Sequence, residues 1–306
     1  MKTKQKILKI LKNPLWGLIY LNNRGLHFLN DKKYISLLYR LSTGEKLNWQ
    51  NPQTFNEKLQ WLKLYDRKDI YTVMVDKYEA KEYVAKIIGE EYIIPTLGVY
   101  DNFDDIDFSK LPDKFVIKTT HDSAGVVIVK EKEKMDINKT KKLINSHLKR
   151  KFYYGNREWP YKNVKPRIII EKYMEDKEHK SMRDFKFFCF NGVPTIMYLS
   201  EGLEDHSTAR MSFYDMDFNL VDCKRKDYKQ LDYVPKKPLN FEKMKKFAAI
   251  LSKGIPHLRV DFYEIDGQLY FGELTFFPAS GMNPFTPPEW DEIWGSWIHL
   301  PCDKNI

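Results

Sequence analysis

The sequence predicts an α+β fold. Amphipathic helical stretches and short strands alternate along the 306 residues. Neighbouring strands are separated by hairpin turns such as Asn191-Gly192, and no parallel βαβ rhythm runs through them. The length accommodates one or two domains with a substantial buried core. With 19 Tyr, 19 Phe and 7 Trp, and no low-complexity stretch or internal repeat, disorder is expected only at the termini. Cys189, Cys223 and Cys302 are scattered without ligand spacing. That fits a reducing compartment and offers neither a disulfide framework nor a zinc site.

Residues 1–50 read as a basic helical extension. They hold ten Lys/Arg against Asp31 and Glu45, which is +8 of the net +9, so the rest of the chain is close to neutral. A general nucleic-acid binder would spread its charge more widely, and no nucleic-acid partner is expected. Lys2, Lys4, Lys6, Lys9 and Lys12 interleave with Ile7, Leu8, Ile10 and Leu11. Leu15, Trp16, Leu18, Ile19 and Leu21 follow. The stretch is shorter than the roughly 20 apolar residues of a spanning helix, and it lacks a small-residue cleavage site. Residues 1–21 are therefore expected to rest on an anionic membrane, with Trp16 inserting, at the cytoplasmic face. A helix packed on the body with its lysines in water satisfies the same pattern.

Asn51-Pro52-Gln53-Thr54 is a turn that can cap a helix at Thr54, with residues 55–65 amphipathic behind it. A single further helix is expected from about Tyr71 to Ile88, stopped by Gly89. Residues 93–100 read as extended. Residues 115–119 and 126–129 read as strands around the loop Thr120 to Gly125, and a helix is expected over about 138–150. Residues 167–171, 184–190 and 195–199 read as strands, and 241–251 as a helix. Two last strands, 257–264 and 268–275, form a hairpin across Ile265-Asp266-Gly267.

That hairpin carries the most chemistry. Its expected register puts Leu258, Val260, Phe262, Tyr270 and Leu274 on one face, and Arg259, Asp261, Tyr263, Glu273 and Thr275 on the other. Two carboxylates and a guanidinium thus share a face. Hard oxygens of this kind suit Mg²⁺, which takes one or two carboxylates and completes its shell with water and phosphate. A surface hairpin with an Arg–Glu pair fits the same pattern. Three more features converge with it. Lys118 ends the strand 115–119 and runs into the small-residue loop Thr119 to Gly125, an arrangement able to hold phosphates. Ile168-Ile169-Ile170-Glu171-Lys172-Tyr173-Met174 is a buried-type strand that could present backbone groups to an adenine edge, with Glu171 accepting from its amine. Lys186 interrupts the aromatic run Asp184 to Phe188, either snorkelling or reaching for a phosphate.

Taken in order, these residues resemble the ATP-grasp fold, and more narrowly its TupA-like family, named for teichuronopeptide biosynthesis. The resemblance runs from about Asn51 to Pro301. It rests on Asn51-Pro52-x-Thr54-Phe55-Asn56-Glu57-Lys58, Asp76-Lys77-Tyr78, Phe115 to Lys118 with His121, and Trp159-Pro160-Tyr161-Lys162. Lys186 to Gly192, Arg259 to Tyr263 and Phe271 to Phe276 complete it. The resemblance implies two α+β lobes enclosing ATP behind a helical N-terminal extension: residues 1–50 the extension, 51–110 a preceding region, 111–170 the N-lobe and 171–306 the C-lobe. It implies an ATP-dependent carboxylate–amine ligase that makes an amide through an acyl phosphate, with a sugar-acid or other carboxylate and an amine as substrates, acting on a bacterial surface polysaccharide. Phosphoryl transfer of this kind needs positioning and cations rather than a nucleophilic side chain. The resemblance assigns Lys77, Lys118 and Lys186 to phosphates, with His121, Ser123 and Gly125 in the phosphate loop. Glu171, Lys172, Tyr173 and Met174 would hold adenine, Asp261, Glu273 and Thr275 the Mg²⁺, and Arg259 the acyl phosphate.

The chain departs from the family in places. Asp122 and Ala124 stand in a loop usually richer in glycine, so Asp122 is expected to add negative charge near the phosphates. Phe277 and Ala279 replace a Thr and a Gly, and Thr275 stands where Asn is common. Two other classes remain open on the sequence. Asp215-Met216-Asp217 could hold a metal–nucleotide-sugar in a glycosyltransferase, and the chain could be a non-catalytic member, either one that still binds ATP or a membrane scaffold that binds no nucleotide.

Overall fold

The computed structural model describes residues 14–21, 29–177, 182–202, 209–225 and 228–301. Helices α1 (Leu15–Leu21) and α2 (Asp31–Thr43) come first. Trp16 does not stand clear of the body; it packs with Ile19, Tyr34 and Leu38. Leu15, Leu18 and Leu21 are 43, 38 and 46% exposed. The lysine-rich residues 1–13 of the expected anchor lie outside the described residues. Among those described, no helix is long and apolar enough to cross a membrane.

Helix α3 (Phe55–Tyr65) begins at a capping box, in which Thr54 and Glu57 exchange side-chain and backbone hydrogen bonds. The one helix expected from Tyr71 to Ile88 is instead two, α4 (Ile70–Val75) and α5 (Glu79–Ile88). Asp76 separates them. Its backbone is extended (ψ 118°), and its carboxylate accepts the N–H groups of Tyr78 (2.8 Å) and Glu79 (3.3 Å). A short acidic side chain competes in this way with helical hydrogen bonds. The break carries the Lys77 N–H to the Thr120 carbonyl at 3.1 Å, tying this segment to the loop after the next strand pair.

Strands β1 (Thr96–Tyr100), β2 (Phe115–Thr119) and β3 (Val126–Val129) are followed by helices α6 (Ile137–Leu148) and α7 (Tyr153–Asn156), then strand β4 (Ile168–Lys172). They form an antiparallel sheet in the order β1-β4-β2-β3. Alternation decides its faces. Phe115, Ile117, Ile168 and Ile170 pack with Ile144 of α6 in one core. Val116, Lys118, Val126, Ile128 and Glu171 share the opposite face by register.

Strands β5 (Asp184–Phe190), β6 (Val193–Glu201), β7 (Arg210–Tyr214), β8 (Leu220–Val221) and β9 (Lys224–Arg225) follow. Helix α8 (Phe241–Leu251), strands β10 (His257–Ile265), β11 (Gln268–Thr275) and β12 (Phe285–Thr286), and helix α9 (Glu289–Trp297) complete the described chain. Six of these strands form a second sheet, β11-β10-β5-β6-β7-β8, and β12 pairs with β9. Phe187, Cys189, Leu258, Val260 and Phe262 are buried on the face that α8 covers through Phe241, Met244 and Ala248. The other face carries the charges.

The β10–β11 hairpin differs from expectation at its tip. Ile265 still pairs with Gln268, so the loop is only Asp266-Gly267, both with positive φ (49° and 76°). That is the two-residue turn that suits strand twist. Near the turn Tyr270 lies opposite Tyr263, so it belongs to the polar face, and Leu269 and Phe271 take the core positions. A bulge opposite Asp261 then restores the expected facing of odd with odd positions, and Arg259 pairs with Thr275. Gly272 permits this bulge, because a Cβ there would meet the Asp261 carbonyl oxygen at 3.0 Å.

Candidate active site

The charged face of the six-stranded sheet is arranged in rows. Reading across paired strands, Tyr263 lies opposite Asp184; Asp261 opposite Lys186, then Tyr198 and Phe213; Thr275 opposite Arg259, then Phe188. Asp261 is fully buried between two cations. Arg259 Nε donates to its Oδ1 and an Arg259 terminal nitrogen to its Oδ2, each at 2.7 Å, and Lys186 Nζ reaches Oδ2 at 2.7 Å. The same Arg259 nitrogen donates to Glu273 Oε1 (2.7 Å) and Thr275 Oγ1 (3.0 Å). Asp184 lies 3.3 Å from Lys186 Nζ. The residues assigned to the metal, Asp261, Glu273 and Thr275, thus converge on one point with Arg259 and Lys186.

Electrostatics at this point favour an ionised Glu273. Burial pushes the Glu273 carboxyl up, but Arg259, Lys186 and Lys77 outweigh it and hold its pKa at about 2. Its side chain is 49% exposed, so water screens part of this attraction. Burial opposes the charge on Lys186, yet Asp184 and Asp261 keep the ammonium well above its usual range. Among the described residues no group of three His, Cys, Asp or Glu forms a ready-made metal cage. Mg²⁺ does not need one: two carboxylates with hard oxygens and added phosphate oxygens suffice. The donor set therefore fits that ion.

The facing wall comes from the four-stranded sheet. Glu171 is 5% exposed and takes two lysines: Lys118 Nζ on Oε2 at 2.6 Å and Lys81 Nζ on Oε1. Burial pushes the Glu171 carboxyl up, and these two ammonium groups pull it down further, to about 2. Around it a cleft of about 170 Å³ is lined by Val116, Val126, Ile128, Met174 and Met182, with Lys118, Glu171, Lys172 and Tyr173. Asp184 and Tyr263 close it from the six-stranded sheet. An apolar slot with a few polar groups at its edge is the usual form of a cofactor pocket. Lys81 was not legible as a site residue on its own, although its place four residues after Lys77, one helical turn on, is a usable signal. Asp184 was also missed; it alternates with Lys186 on the strand and so shares its face.

Lys77 bridges the two walls. Its ammonium donates to the Asp122 carbonyl, and it feels the charges of Glu273, Lys118 and Glu171. The loop it touches corrects one expectation. Asp122 does not add charge toward the phosphates, because its carboxylate is turned inward and wholly buried. It accepts from Thr119 Oγ1, meets His147 Nδ1 at 2.5 Å and takes Arg150 at 3.2 Å. Both partners come from the end of α6. His121 is also buried, with Nε2 at 3.1 Å from the Arg150 carbonyl, while Ser123 is exposed. Gly125 is required by close packing: a Cβ would lie 2.0 Å from Thr119 Oγ1. Asp122→Ala should therefore unlock the loop, raising KM for ATP and costing about 3 kcal/mol, roughly 5 °C in Tm. Kinetics and a thermal melt check this; an unchanged KM with a lowered Tm would make Asp122 a stability residue only.

Beyond Arg259 on the same face lies His257, fully buried against Phe55 and Phe190, with Nδ1 at 3.0 Å from the Phe276 carbonyl. Burial depresses its pKa to about 3. The folded state thus binds its proton less readily than the unfolded chain, whose histidines titrate near 6.5. Stability is full above about 6.5 and falls as pH is lowered toward 3. His121, also lowered by burial, acts in the same direction. Between pH 6.5 and 5, before most carboxylates titrate, the Tm of wild type should fall and His257→Gln should flatten that slope. Parallel slopes would assign the acid sensitivity elsewhere.

Asp215 is occupied by a turn: it accepts from Asp217 N (2.9 Å), Asn219 N (2.7 Å) and Asn219 Nδ2 (3.0 Å). The Asp-x-Asp pair is a local structural device here.

The TupA-like ATP-grasp family model matches residues 57–299. No curated protein sequence matches the chain. Among solved structures, it is similar to a D-alanine–D-alanine ligase from Bacillus anthracis, at 19% identity and a TM-score of 0.39 over 73% of this chain and 63% of that one. A phosphoribosylamine–glycine ligase from Thermotoga maritima shares 15% identity, TM-score 0.38, over 68% and 49%. The ATP-grasp ligase PsnB, in complex with a minimal precursor, Mg and ADP, shares 9%, TM-score 0.40, over 72% and 57%. The chain spans less than two thirds of the length of each. Its ordered motifs, its two antiparallel sheets and the match over residues 57–299 together make the chain a member of the TupA-like ATP-grasp family.

Proposed function

We propose that this protein is an ATP-dependent carboxylate–amine ligase. The observation that carries the reading is the confrontation of two walls: an apolar cleft edged by Lys118 and Glu171 is closed by Asp184 and Tyr263, which share the charged face with Lys186, Asp261 and Arg259. Adenine would lie along Val116, Val126 and Ile128, with Glu171 and the backbone from Lys172 to Met174 at its polar edge. The triphosphate would then point toward Lys77, Lys186 and Arg259. A carboxylate oxygen attacks the γ-phosphorus, the bond to the ADP oxygen breaks, and ADP leaves with the electron pair. Three fixed cations stabilise the charge gathering on the phosphoryl oxygens. Asp261, Glu273 and Thr275 would hold Mg²⁺, which when bound supplies further charge neutralisation to the phosphates.

The finer reading is that the carboxylate is a sugar acid of a bacterial surface polysaccharide. Purified protein should release ADP from ATP only with a matching carboxylate and amine, screened as sugar-acid and amino-acid pairs. Absence of ATP binding, with or without metal, would leave a scaffold role as the better account. Peripheral membrane contact through residues 1–21 belongs to the same proposal. Each lysine near an anionic surface contributes about 1 kcal/mol. With Trp16 packed inward, the apolar contribution would come from Leu15, Leu18 and Leu21. Full-length protein should co-sediment with anionic vesicles at low salt and a residue-22-onward variant should not; equal behaviour of the two would remove the anchor.

A further inference from the structure

We propose that the loop before helix α8, together with the outer face of that helix, is a second membrane-contact surface that rests on anionic lipid. The inference goes beyond the ligase reading and concerns a surface separate from residues 1–21.

Charge singles out the segment. Residues 228–246 hold Lys229, Lys236, Lys237, Lys243, Lys245 and Lys246 against Asp232 and Glu242, a balance of +4. Residues 51–306 together sum to only +1, so the rest of that span is net acidic. Within this basic segment stand Val234 and Leu239, 93 and 87% exposed, the most exposed large apolar side chains among the described residues. A single exposed aliphatic side chain needs no explanation. Two of them five residues apart, bracketing Lys236 and Lys237, form a pattern of their own.

The loop is built to display them. Pro235 and Pro238 are buried beneath it. At its start the Tyr233 hydroxyl donates to Glu201. At its end the nearly buried Glu264 carboxylate accepts the N–H groups of Leu239 (3.2 Å) and Asn240 (2.8 Å) and the Asn240 side-chain amide (2.9 Å). Asn240 also donates to the Gly267 carbonyl at 2.9 Å, which fixes the loop against the β10–β11 turn. Helix α8 continues the surface. Phe241, Met244, Ala248 and Leu251 bury its inner face, and its outer face carries Lys243, Lys246 and Ile250, three and four residues apart. Glu242, the acidic residue of the helix, is paired with Lys237 (2.9 Å) and Lys245 (3.1 Å).

Chemistry selects the occupant. Aliphatic tips ringed by ammonium groups match the boundary of an anionic bilayer, where lysines meet headgroups and the tips enter the acyl region. A protein partner would need roughly 800 Å² of complementary surface, and two projecting tips do not supply it. A contact of this size is marginal by itself, so the surface works alongside the basic N-terminal segment rather than in its place.

Site-specific fluorescence on the full chain tests this. Leu239→Cys in a Cys302→Ser background is labelled with an environment-sensitive nitrobenzoxadiazole dye; Cys189 and Cys223 are buried, out of the dye's reach. Val193→Cys in the same background is the control. Val193 is 61% exposed but lies at the other end of the sheet: it pairs with Phe190, which pairs with His257, eight residues and roughly 27 Å along β10 from Ile265. On vesicles of phosphatidylglycerol and phosphatidylcholine the dye at 239 should brighten and shift to the blue, and the dye at 193 should not. In the unlabelled chain, Val234→Ser with Leu239→Ser should weaken vesicle binding by about tenfold, the worth of two partly buried aliphatic side chains. Vesicle binding with a silent dye at 239 would overturn the proposal, leave the N-terminal anchor standing and point to an acidic protein as the occupant. Equal response at 239 and 193, unchanged binding by the double variant, or no binding by the full chain at low salt would each overturn it too. A responsive dye at 239, with equal sedimentation of the full-length and residue-22-onward proteins, would keep this surface and remove the anchor.

Discussion

Asp261→Asn and Glu273→Gln should each reduce Mg²⁺-dependent turnover by about a thousandfold, the several kcal/mol that charge stabilisation by a bound metal supplies. Both substitutions keep side-chain shape and remove only the negative charge. The two differ in their effect on the fold. Glu273 is half exposed at the cleft mouth and binds one nitrogen of Arg259, so its neutralisation should barely move Tm. Asp261 is fully buried between Arg259 and Lys186, and removing its charge takes away the counter-ion that the two cations share. That should cost about 2 kcal/mol or more in stability, because Asp184 still faces Lys186 and Glu273 still faces Arg259. The discriminating variant is therefore Glu273→Gln: its ATPase rate should fall without loss of Tm, and excess Mg²⁺ should recover part of it. If the rate stays at the wild-type level across a Mg²⁺ titration, these carboxylates serve only to position Arg259.

The polar face of the hairpin was legible because strand alternation has a period of two, and Arg259, Asp261, Glu273 and Thr275 obey it. The tip was not, because a two-residue turn stands where three residues were expected and shifts Tyr270 by one position; the bulge at Gly272 then restores the parity before the functional residues are reached. The single helix expected over Tyr71–Ile88 failed at Asp76, whose capping of Tyr78 and Glu79 is reinforced by Arg167, 91 residues later in sequence. Periodicity sees only local contacts. The same limit hid the role of Asp122. A carboxylate in a phosphate loop looks unfavourable until His147 and Arg150 arrive from the next helix to hold it away. Glu171 shows the converse: its place at the end of a buried strand was readable, but its pairing with both Lys81 and Lys118 depends on α5 packing beside β4.

Lys118→Ala should raise KM for ATP by roughly 10- to 100-fold, the loss of one hydrogen bond from a charged donor to phosphate. The ammonium is 28% exposed in the cleft, so little packing is lost with it. Its present partner, Glu171, is nearly buried, and a buried carboxylate left alone would be costly. Lys81 remains on the other oxygen, however, and that second contact should keep Glu171 ionised and the fold intact. Lys118→Ala should therefore lose nucleotide affinity with Tm almost unchanged. Removing both lysines should lower Tm by more than the two single changes added together, because only the double variant strands the carboxylate. The arrangement thus separates binding from stability within one cluster. A collapse of Tm in Lys118→Ala alone, with ATP affinity retained, would show that this lysine neutralises Glu171 and nothing more, and the phosphate grip would have to come from Lys77 and Lys186.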